Sequence, residues 1–134
     1  MVFTSIEEAV SKNTERYVGN NCLQVPEIVR SMLDEYADLV KEDDRLGLEL
    51  GLSEIIINAI EHGNLGISFD EKCEALTSGM EALAHLRDSR QENPDLARRQ
   101  VRIESAFDGE SIIWTITDEG NGFDFKKLLD PNET

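Results

Sequence analysis

The sequence predicts an α+β protein: a single domain, residues 1–134, with helices laid on one face of an antiparallel or mixed sheet. Three observations predict it. Apolar residues recur at helical spacing through several stretches ahead of Asn93-Pro94. The period then switches to two in "RQVRIESAFDGESIIWTITDEGNGFD". A chain of 134 residues with 40% hydrophobic content supports one real core and not two. The chain therefore divides into a helical part (1–98), a β-hairpin with a glycine loop (99–125) and a short tail (126–134).

Each element has its own signal. Ser5-x-x-Glu8 is a capping-box pattern and predicts a short opening helix. "RYVGNNCLQ", with one Gly and two Asn, reads as a break. In "VPEIVRSMLDEYADLVKED", Pro26 suits a first helical position, and Ile28, Met32, Leu33, Tyr36, Leu39 and Val40 share a helical spacing. After the acidic break "KEDDR", a third helix is expected from about Leu46 to His62, with Leu48, Leu52, Ile55, Ala59 and Ile60 as its core face. "GNLGIS" interrupts it. Ser68-x-x-Glu71 is a second capping box and opens one long helical stretch, "FDEKCEALTSGMEALAHLRDSRQ", which Asn93-Pro94 must end. In the tail, Val101, Ile103 and Phe107 alternate with polar residues, Asp108-Gly109 is a hairpin turn signal, and Ile112, Trp114 and Ile116 resume the alternation. Two strands alone make a marginal sheet.

A formal charge of −15 argues against nucleic acid or an anionic membrane as partner. No apolar run reaches the ~20 residues needed to span a membrane. The acidic N-terminus "MVFTSIEEAVSKN" does not read as an export signal. Cys22 and Cys73 lie far apart with no ligand spacing, so two reduced thiols in a cytoplasmic protein are expected. A protein this acidic that binds a polyanion needs a divalent cation or backbone N–H groups to carry the contact.

Two stretches suggest chemistry. In "GLSEIIINAIEHGN", Glu54 and Asn58 are four apart and share one side of the helix; His62 continues the line and Glu61 lies beside it. Burying an unpaired amide costs ~1–3 kcal/mol and an unpaired carboxylate more, so these groups must face water or find partners. One reading is a solvated stripe. The other is a carboxylate that orients a water or hydroxyl beside an amide that holds Mg²⁺. In "ITDEGNGFD", Asp118 ends an apolar strand, and Gly120 and Gly122 allow a sharp turn and close approach to a ligand. An ordinary glycine turn is the plainer reading. A calcium loop fits poorly, because Gly120 sits where an oxygen ligand belongs. There is no GxxxxGK[ST] loop.

Together, in this order, "ELGLSEIIINAIEHGN" and "DEGNGFD" resemble the N box and first glycine box of the Bergerat-fold (GHKL) ATPases, the superfamily of gyrase and histidine kinases. The likeness is greatest to the small serine-kinase anti-sigma factors and related histidine-kinase-like ATPase domains, and it covers about Val25 to Asp124. The resemblance implies a two-layer sandwich that binds ATP and Mg²⁺. It implies Glu54 as general base, Asn58 as Mg²⁺ ligand and Asp118 as acceptor of the adenine amino group. It implies that Gly120 and Gly122 wrap the nucleotide, with His62 and Asn64 near the phosphates. The implied function is transfer of the ATP γ-phosphate to a serine of a bacterial antagonist protein. The alternative is a non-catalytic interaction module that grips a sigma factor, antagonist or receiver domain. The family continues past its first glycine box with a lid, a second glycine motif and a further strand, whereas nine residues follow Phe125 here, so an incomplete site is expected. The hairpin's open edge makes a homodimer or domain swap an expected option.

Overall fold

The computed structural model describes residues 13–120 and is α+β. Three strands form one antiparallel sheet in the order β1 (Asn13–Val18), β2 (Val101–Phe107), β3 (Ile112–Thr117). The helices between β1 and β2 are α1 (Val25–Asp34), α2 (Glu42–Asn58), α3 (Phe69–Thr77), α4 (Met80–Gln91) and the short α5 (Pro94–Ala97). The opening capping box Ser5–Glu8, Gly122 and the tail 126–134 lie outside the described residues.

The hairpin forms as its pattern predicts. Val101, Ile103, Ser105 and Phe107 point inward, and Ile103 faces Ile116 across the ladder while Phe107 faces Ile112. Gly109 takes φ 98°, which favours glycine, and Asp108 Oδ1 accepts from the Glu110 and Ser111 N–H groups to close the turn.

The sheet gains a third strand that the sequence does not predict, and its last residues, 16–18, fall in the expected break. Asn13–Val18 pairs antiparallel with β2, Val18 opposite Val101 and Asn13 opposite Ala106. Its inward side carries Thr14, Arg16 and Val18, so it lacks the apolar alternation of a half-buried strand. Those polar groups are partnered instead. Arg16 donates to Ser31 Oγ at 3.0 Å and pairs with Glu35, while Thr14 meets the Ser105 hydroxyl.

Against the inner face, α1 contributes Val25, Val29, Met32 and Leu33, α2 contributes Leu52 and Ile56, and the wider turn that continues α2 contributes Ala59 and Ile60. Leu65, Ile67, Val101 and Ile103 complete this core. Ile56 and Ile60 have no exposed surface, and burial of each contributes ~1.5–3 kcal/mol. The expected core residue Ile55 is half exposed; the phase of α2 turns Ile56 inward in its place. A second cluster joins Tyr36 and Phe107, with Trp114 edge-on to Tyr36 at 6.0 Å between centroids. α1 stops at Asp34, earlier than its periodicity suggests. Tighter turns follow, Tyr36 N–H to Leu33 O and Leu39 N–H to Tyr36 O, and the Tyr36 hydroxyl meets Ser105 Oγ at 2.7 Å.

The long stretch 69–91 is two helices. Ser78 caps α3, and Gly79 at φ 110° reverses the chain before α4. At the start of α3 the capping box is complete: Ser68 Oγ accepts from Glu71 N–H, and Glu71 Oε1 accepts from Ser68 N–H, each at 3.0 Å. That backbone N–H holds the Glu71 carboxyl below the usual carboxylate range, and Arg90 adds to the effect. The depressed carboxyl stabilises the fold above its unfolded pKa, and the contribution is lost as pH falls through the folded value. Ser68→Ala should cost about 1 kcal/mol in urea unfolding at neutral pH. Glu71→Gln should keep the cap but flatten the stability profile in the acid range, and an NMR titration should find the Glu71 carboxyl below an unfolded reference. No helix among the described residues is long and apolar enough to cross a membrane.

Candidate functional site

At the end of α2 the helix widens. Residues Ala59–Asn64 form a π-turn, closed by Leu65 N–H to Ile60 O at 2.9 Å. Such widened turns shift the side-chain phase and recur at functional sites. Here the shift sorts the polar residues of "SEIIINAIEHGN" into two groups.

Glu61 and Asn64 turn inward. Both are fully buried. Arg87 Nε donates to Glu61 Oε2 at 2.7 Å, and the Lys72 ammonium stands 2.6 Å from Oε1 as an ion pair without hydrogen-bond alignment. The carboxylate thereby ties α3 and α4 to the end of α2. Asn64 Nδ2 donates to Asn20 Oδ1, and Asn64 Oδ1 accepts from the Glu119 backbone N–H, both at 2.8 Å. Asn20 in turn donates to Leu96 O, and Arg99 donates to Asn64 O. Asn64 is thus spent on the protein: it joins the β1–α1 loop, the π-turn and the loop after β3.

Glu54 and Asn58 turn outward. Glu54 is exposed and Asn58 half-buried, and neither side chain has a hydrogen-bond or ion-pair partner among the described residues. Their spacing puts carboxylate and amide side by side on one face of α2. His62 sits apart from that pair: its Nδ1 lies 2.6 Å from Ile67 O, and its ring stacks on Phe69 at 6.0 Å.

Asp118 leaves β3 and closes an Asx turn, its Oδ1 accepting from Gly120 N–H at 2.9 Å. The loop packs on the π-turn with no room for side chains. A Cβ on Gly63 would lie 2.6 Å from the Asp118 Cβ and nearer still to its carboxyl carbon. A Cβ on Gly120 would lie 2.6 Å from the Gly63 carbonyl carbon and nearer still to its oxygen. Two glycines therefore let backbone touch backbone where the two motif stretches meet. The sequence points to Gly120 for this loop; the need for a glycine at position 63 comes from Asp118, which is distant in the chain, and its only local mark is the glycine between His62 and Asn64.

The arrangement offers a carboxylate and an amide, both without partners among the described residues, on one helix face, with a second carboxylate over the end of that helix. Among the described residues no three His, Cys, Asp or Glu side chains gather as a metal cage. Mg²⁺ needs only one or two protein ligands when phosphates supply others, and the unpartnered Asn58 amide suits that role. No family model, curated protein or solved structure matches the chain.

Proposed function

We propose that the chain is a cytoplasmic ATP- and Mg²⁺-binding domain of the Bergerat type, a protein serine kinase of the anti-sigma factor class. The single observation that carries the reading is the meeting of "NAIEHGN" and "DEG": Gly63 against Gly120, and Asn64 Oδ1 on Glu119 N–H at 2.8 Å. Two motifs far apart in the sequence share one place, as a nucleotide pocket built from both requires. The free thiols Cys22 and Cys73 fit a reducing compartment.

Asn58 would hold Mg²⁺ through its amide oxygen, and the ion would neutralise charge on the phosphates. Asp118 would accept from the adenine amino group through Oδ2, since Oδ1 is engaged by Gly120. Glu54 takes the proton from the acceptor hydroxyl. The bond from the serine oxygen to the γ-phosphorus forms as the bond to the β,γ-bridging oxygen breaks, and ADP leaves with that electron pair. Most of the catalysis is positioning, which suits a site with so few reactive groups.

Glu54→Ala should lower ATP turnover, with water as acceptor and ADP release as the readout, by about 10²–10⁴-fold. Nucleotide affinity should stay within about twofold. Unchanged turnover with intact binding would remove Glu54 from the reaction. A second reading, a non-catalytic interaction module of the same fold, is favoured by the large aliphatic side chains exposed on α2 beside Glu54.

A further inference from the structure

We infer that the outer face of α2 docks a basic amphipathic helix of a partner protein, with Glu54 at the far end of the contact. The docking is independent of nucleotide; only the role of Glu54 toward the docked segment rests on the function proposed above. α2 is apolar on two sides. Leu52 and Ile56 enter the core, yet Leu46, Leu50 and Ile55 are 66%, 65% and 47% exposed. Exposed aliphatic side chains gathered on one element mark a contact surface more often than scattered ones do.

Helical spacing orders that surface. Gly47, Gly51, Glu54 and Asn58 fall on one line, with Leu46 and Leu50 along one side of it and Ile55 on the other. A Cβ on Gly47 or Gly51 would meet nothing within 4 Å. Internal packing therefore does not require either glycine, although each weakens a helix interior. What they leave is a bare strip beside the pair Leu46 and Leu50, where the backbone of a second helix can come close.

Charge selects the occupant. Glu42, Asp43 and Asp44 open α2 after the single cation Lys41, and Asp43 shares the line of Gly47, Gly51 and Glu54. Arg45 does not offset them, because Asp34 at 2.7 Å and Glu49 at 3.2 Å already pair with it. On a chain of net charge −15, a second copy would bring the same acids to the same face, and an anionic surface would be repelled. A helix with a leucine stripe flanked by lysine or arginine matches both the exposed leucine pair and the acids beside it.

The test uses a synthetic helical peptide of about 15 residues, leucines on one face and lysines elsewhere, against a scrambled peptide of the same composition. Fluorescence anisotropy is read without nucleotide in about 150 mM salt, where non-specific attraction is screened. The patterned peptide should bind at least about tenfold tighter than the scrambled one, and Leu46→Gln with Leu50→Gln should weaken it about tenfold or more. Both leucines are exposed, so the double variant should keep the parent melting profile. Equal binding of the two peptides overturns the inference, as does indifference to the double substitution. A dimer in sedimentation that the same substitutions dissociate would assign the face to a second copy and also overturn it. Because no nucleotide is present, failure here is separate from failure of the ATP reading.

Discussion

Glu61→Ala is expected to lower the free energy of unfolding by about 3–5 kcal/mol, because it leaves two mostly buried cations without their carboxylate. Lys72 and Arg87 each keep 19% of their side-chain surface exposed, and Glu61 keeps none. The attraction inside such a group largely offsets its own desolvation, so the loss comes from breaking it and not from forgoing it. A triple variant, Glu61→Leu with Lys72→Met and Arg87→Met, should therefore recover most of the lost stability. Urea unfolding at neutral pH checks both. A Glu61→Ala chain within about 0.5 kcal/mol of the parent would show that the carboxylate is solvated and holds nothing. Hydrogen exchange should locate the damage in α3 and α4, since Glu61 forms an ion pair with each and α3 has no buried residue of its own.

Gly120→Ala should have the next largest effect. The new methyl meets the Gly63 carbonyl, which is backbone and cannot rotate aside. Overpacking of this kind costs about 1–3 kcal/mol. The loop must lift, which breaks the Glu119 N–H bond to Asn64 and leaves a fully buried amide half satisfied. Gly63→Ala presses on Asp118 from the other side and should behave alike. Under the proposed function both variants should also lose ATP affinity by at least about tenfold, since they separate Asp118 from the end of α2. Folded variants that bind ATP as the parent does would separate the glycine contact from any nucleotide site.

Much of this fold is legible in sequence where one residue controls one local choice. Asp108-Gly109 marks its hairpin and Ser68–Glu71 its cap, because each signal acts within a few residues. β1 is hidden for the opposite reason. Thr14 and Arg16 point into the molecule, and their partners Ser105, Ser31 and Glu35 arrive from other elements. Gly79 is visible in the sequence, but the helical spacing on both sides of it reads straight through. The same limit applies at the site. Glu54 and Glu61, Asn58 and Asn64 are alike in type and near in sequence, and only the π-turn and distant Arg87, Lys72 and Asn20 decide which carboxylate and which amide are consumed in folding. The pair left over is Glu54 and Asn58.

That remainder is what calorimetry should probe. Titration of the full chain with ATP, with and without Mg²⁺, should show metal-dependent binding that weakens in Asn58→Ala and disappears in Asp118→Asn. Asn64→Ala would reduce affinity indirectly, through the Asp118 loop it holds. Failure to bind at about millimolar ATP, where even weak sites register, would contradict the nucleotide reading.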